Sequence, residues 1–94
     1  MKDLPYFIKP KPPGTINPCA RAAITDEKGV ILAWCLDTPN AIAFAFSCLP
    51  GATHAIAYYP GFSPTETCRE DYAERIDAKG YGITREKACF EMAL

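Results

Sequence analysis

Two apolar runs, residues 20–25 and 30–36, flank the polar tetrapeptide Asp26-Glu27-Lys28-Gly29. Short apolar runs bounded by a turn signal read as strands, and Gly29 supplies the positive φ that a four-residue hairpin loop commonly needs. The second run, Val-Ile-Leu-Ala-Trp-Cys-Leu, has no polar position, so it is expected to be a central strand covered on both faces. Trp34 then belongs to the core rather than to a binding platform.

Residues 38–65 follow, twenty-eight positions without one Asp, Glu, Lys or Arg. Thr38-Pro39 is a helix start, with threonine as cap and proline at the first helical position, and Leu49-Pro50-Gly51 is an equally clear stop. Between them Ile42, Phe46 and Leu49 share one helical face, while Phe44 and Cys48 lie on another. Ile42, Phe44, Phe46 and Cys48 also alternate with period two, as a strand would require. The intervening residues are mostly alanine, which suits helices and fits strands poorly, so a helix is predicted over 39–48. Residues 53–59 alternate and end at Pro60-Gly61, which predicts a third strand.

Ser63-Pro64-Thr65-Glu66 has the form of a capping box with proline at the first helical position. The helix it opens is expected to run to Lys79 and stop at Gly80, with Cys68, Tyr72 and Ile76 facing inward and Asp71 pairing with Arg75. Thr84 caps a last predicted helix over 85–94, with Cys89, Met92 and Ala93 inward. The order is ββαβαα. Sixteen residues separate Leu36 from Thr53, enough for a helix to cross over the sheet. The expected fold is a small α+β domain, a single layer of about three antiparallel or mixed strands packed with two to three helices.

Residues 1–18 interrupt this periodicity with Pro5, Pro10, Pro12, Pro13 and Pro18. The stretch Lys-Pro-Lys-Pro-Pro-Gly is polyproline-like and unable to enter the interior of a sheet. It is read as a proline-rich arm of charge +2, with Tyr6, Phe7 and Ile8 as anchors onto a neighbouring surface, ahead of one domain over 19–94. Pro10 and Pro13 have the spacing of a ligand for SH3-type modules, a match that is common by chance.

Composition narrows the function classes. A chain of 94 residues buries only about 60–65 % of the surface its unfolded form exposes, so pockets are expected to be shallow or shared between subunits. Ten basic and eleven acidic residues leave a formal charge of −1, which lacks the electrostatic signature of a nucleic-acid or membrane-surface binder. The amino terminus has no apolar core of a secretory signal, and no apolar stretch approaches the roughly 20 residues of a membrane span. Five cysteines, Cys19, Cys35, Cys48, Cys68 and Cys89, are an odd number at wide intervals, which favours free thiols acting as small buried hydrophobes in a reducing cytoplasm.

Candidate chemistry is sparse. His54 is the single histidine, with Cys48 six residues before it across Pro50-Gly51, but no third group is marked out to orient the imidazole. The cysteine intervals of 16, 13, 20 and 21 residues contain no local chelating pair, so no metal and no cofactor is expected. Gly80-Tyr81-Gly82 lacks the third glycine and the lysine of a phosphate cradle. Two helices joined through residues 80–83 could form a helix-turn-helix led by Arg85 and Lys87, yet Glu86 and Glu91 would face phosphates and residues 66–94 carry −2. Glu70, Asp71, Glu74 and Asp77 fit the solvated face of one helix better than a catalytic carboxylate pair.

Aromatic residues placed beside loops and strand ends remain: Tyr58, Tyr59, Phe62 and Tyr81, with Tyr6 and Phe7 of the arm. Such side chains are enriched at protein interfaces, where a ring supplies contact area at small entropic cost. The expectation is a non-enzymatic protein-binding regulator or inhibitor, with His54, Tyr58, Tyr59, Phe62, Tyr81, Tyr6 and Phe7 at its interface and another protein as partner. In size and character alone it compares with small phage-encoded accessory proteins that block bacterial defences. The arm and surplus apolar surface also suggest a homodimer. The rival expectation is a small-molecule binder or enzyme with a pocket at a subunit interface using His54 and Cys48.

Overall fold

The computed structural model describes residues 20–58, 63–79 and 82–93. Strand β1 (Ala22–Thr25) and strand β2 (Ile31–Cys35) form the expected hairpin. Its loop is held by Asp26, whose carboxylate accepts from the backbone N–H groups of Lys28 and Val30, both at 2.9 Å. Gly29 takes φ 85°, the left-handed conformation that a Cβ would disfavour. The register passes from Ile24↔Ala33 to Thr25↔Ile31, leaving Leu32 as the extra residue of a β-bulge.

Helix α1 (Pro39–Cys48) occupies the predicted span. The Thr38 hydroxyl accepts from the Ala41 N–H at 3.2 Å, and Pro39 stands where its missing N–H costs nothing. The chain returns as strand β3 (His54–Ala57), which lies beside β1 rather than β2. Both β2 and β3 run antiparallel to β1, so α1 bridges two strands of the same direction across the central one.

The second half departs from expectation. Residues 65–68, read as the opening of a helix, are strand β4 (Thr65–Cys68), paired antiparallel with β3. A strand edge with unpaired backbone groups stood beside them, and the alternating β-branched Thr65 and Thr67 suit a ladder. The helical start is displaced to a 3-10 turn (Arg69–Tyr72) followed by α2 (Ala73–Ala78). Asp71, expected to pair with Arg75, instead accepts from the Cys68 N–H at 2.9 Å, and Arg75 donates to Asn40. α2 ends at Lys79 with φ 53°; its predicted stop, Gly80, lies outside the described residues.

The predicted helix over 85–94 does not form. Thr84 does cap one turn, accepting from the Lys87 N–H, but Cys89 at φ 53° ends it. Strand β5 (Glu91–Met92) then pairs with the outer edge of β2. That edge needed a partner more than a short exposed segment needed a helix. Ala88 and Phe90 are the buried residues of this segment; of the three expected inward, Cys89 and Ala93 pack partly buried against the Trp34 cluster, while Met92 is 48 % exposed.

Among the described residues the result is an α+β domain with one sheet of order β4-β3-β1-β2-β5, every hydrogen-bonded pair antiparallel, packed against two α-helices. Residues opposite one another on a ladder share a face. Ala22, Ile24, Ala33, Cys35 and Ala55 form the face under α1, meeting Ala41, Ile42, Ala45 and Phe46. Tyr72 and Ile76 cover α1 from one flank, with the Tyr72 ring 5.6 Å from that of Phe46. Phe90 covers it from another, edge-on to Phe44 at 5.8 Å. No described helix is long and apolar enough to cross a membrane.

Arg69 locks this arrangement. Its guanidinium donates to the carbonyls of Leu49 at 3.1 Å and Ala52 at 2.9 Å and lies over the Phe46 ring at 5.5 Å. Its backbone N–H donates to the Thr53 carbonyl, so one residue ties the end of α1 to the start of β3 and the end of β4. Replacing Arg69 by Met keeps the stem but removes the guanidinium from the half-buried Ala52 carbonyl and leaves the Leu49 carbonyl with the Ala52 N–H alone. Arg69→Met is expected to lower the urea-unfolding free energy by about 2 kcal/mol. Lys79→Gly, which relieves a left-handed residue on an exposed helix end, is expected to raise it by about 0.5–1 kcal/mol. An unchanged midpoint in either variant contradicts the assigned role.

Candidate functional site

β3 alternates, and Ala55 faces α1, so His54 and Ile56 face the other way. Tyr58 continues that alternation just past the strand; its N–H donates to the Arg21 carbonyl at 2.9 Å, prolonging the β1–β3 ladder. Across the sheet the same face carries the row Glu66, Ile56, Ala23, Trp34 and Glu91. Trp34 is only 3 % exposed, which confirms the reading of β2 as a strand buried on both faces. Tyr58 tilts against it, ring centroids 5.7 Å apart at 44°. Ala20, Cys89 and Ala93 pack into the same small cluster.

At the β4 margin of this face stands a polar group of four. His54 and Cys68 are opposed, and the bond from the Arg69 N–H to the Thr53 carbonyl marks them as a non-hydrogen-bonded pair, the kind whose side chains approach most closely. The imidazole has a polar neighbour at each nitrogen. Nδ1 is 2.8 Å from the Thr53 hydroxyl, and Nε2 is 3.8 Å from the Glu66 carboxylate. The Cys68 thiol donates to Asp71 at 3.6 Å. This arrangement turns the thiol to Asp71 and the imidazole to Thr53 and Glu66. It is a polar, accessible rim: the His54 side chain is 37 % exposed and that of Glu66 60 %.

The thiols fall into distinct environments. Cys35, Cys48, Cys68 and Cys89 are all unbridged; Cys19 lies outside the described residues. Among the described cysteines only Cys35 is fully buried, as expected of a small hydrophobe; Cys68 and Cys89 are half-buried, and Cys48 is exposed on the last turn of α1. Burial pushes the Cys35 thiol up to about 12, with the nearby charges of Asp37 and Cys89 adding to the rise. Among the described residues, no group of three or more His, Cys, Asp or Glu side chains is arranged to hold a metal ion.

Of the residues expected at an interface, the structure brings His54 and Tyr58 to one face; Tyr59, Phe62, Tyr81, Tyr6 and Phe7 lie outside the described residues. The pair His54 and Cys48 is not brought together, because α1 packs on the face of the sheet away from His54. The cysteine facing His54 is Cys68. Sequence reasoning missed it, with Glu66, by taking residues 65–68 as helix. The signal was present in Thr65 and Thr67 alternating with Glu66 and Cys68. The helix-turn-helix reading loses its second member, since residues 85–89 form a turn and Glu91–Met92 a strand.

The raised Cys35 thiol has a stability consequence. An unfolded thiol ionises near 9.0, whereas the folded one keeps its proton to about 12, so over that window the folded state binds more protons. The contribution of Cys35 is therefore fully present below pH 9 and lost as pH rises toward 12. The stability advantage of the wild type over Cys35→Ala is expected to narrow between pH 8 and pH 11 in urea titrations. A constant difference contradicts the burial effect. Comparison with known protein families, with characterised proteins and with solved structures finds no match for this chain.

Proposed function

We propose that this chain is a small non-catalytic regulator or inhibitor that acts by binding another protein, with the face of its sheet away from α1, around His54, Tyr58 and Glu66, as the contact surface. The observation that carries the reading is the alternation of β3, which puts His54, Ile56 and Tyr58 on the face away from α1. The apolar helix, by contrast, is covered by its own chain through Tyr72, Ile76 and Phe90, and needs no partner.

The surface has the mixed character that recognition requires. A tyrosine backed by a buried tryptophan supplies rigid contact area, and the His54–Glu66 margin supplies charge and hydrogen-bonding groups at the rim. The rival reading, a pocket using His54 and Cys48, is less well supported, since Cys48 belongs to α1, which packs on the face of the sheet away from His54.

The test begins with capture of partners from the native host's lysate and identification by mass spectrometry, followed by calorimetry on the purified pair. Tyr58→Ala combined with Tyr59→Ala is expected to weaken that binding at least tenfold, about 1.4 kcal/mol or more. Glu66→Lys, a substitution on the exposed edge, is expected to weaken it without touching the Trp34 cluster; circular dichroism checks that each variant stays folded. Undiminished binding by both folded variants overturns the proposal, as does a small-molecule thermal shift that His54→Ala abolishes while partner binding persists. Light scattering over a concentration series separates a partner of different sequence from self-association.

A further inference from the structure

We draw no further inference here: the strongest candidate, the cross-strand cluster of His54, Glu66, Cys68 and Asp71 at the β3–β4 margin of the sheet, belongs to the site already described, and with its imidazole nitrogens turned to Thr53 and Glu66 and its thiol to Asp71, nothing in it points to a further ligand.

Discussion

A helix without a charged side chain must be covered on most of its circumference, and α1 imposes that demand on everything around it. Ala41, Ile42, Ala43, Ala45 and Phe46 are all buried, more than one face of a sheet can reach. The sheet takes one side. The 3-10 turn and α2 bring Tyr72 and Ile76 to a second, and the turn before β5 brings Phe90 to a third. Burying a side chain such as Ile42 or Phe46 stabilises the fold by roughly 1.5–3 kcal/mol, so these flanking segments are held by α1 as much as they cover it. Arg69 joins the covers together. By donating to the carbonyls of Leu49 and Ala52 while lying on Phe46, it fixes the point where β3 begins and β4 ends.

On the proposed reading, that division of labour places the contact surface away from α1. Had α1 been left half-covered, its apolar surface would have been the natural place for a partner. With α1 covered, the proposed contact surface is the other face of the sheet, where β2 contributes a buried tryptophan, β3 the histidine, and the residue after β3 the tyrosine. The polar margin at β4 limits what else can happen there. Asp71 satisfies the outward N–H of Cys68, which blunts the edge of a four-residue strand against pairing with another chain. Contacts through side chains on the face fit this geometry better than strand addition along the edge.

Much of the fold was legible wherever local chemistry and tertiary demand agreed. The hairpin follows from two apolar runs and a glycine; α1 follows from Thr38, Pro39 and the Pro50-Gly51 break; the burial of Trp34 follows from a run with no polar position. Local and tertiary demands parted company in the second half. Ser63-Pro64-Thr65-Glu66 has the form of a helix start, but the open edge of β3 drew residues 65–68 into a ladder and the start moved to Arg69. Likewise Thr84 capped a turn that β2's other edge did not allow to lengthen. Capping is worth about 1 kcal/mol, and a strand's worth of unmet backbone groups costs more.

By itself the sequence determined the fold class, the central hairpin, the uncharged helix and the residues available for chemistry, because these depend on contacts between near neighbours in the chain. Tertiary structure alone decided the sheet's five-strand order, the destination of Arg69 and the company of His54. Strand edges are completed by whatever segment can reach them, and no local pattern states which segment that is. The same physics moved the thiol beside His54 from Cys48 to Cys68. Sequence proximity favoured the first, but α1 and His54 lie on opposite faces of the sheet, and a ladder brings together residues fourteen positions apart.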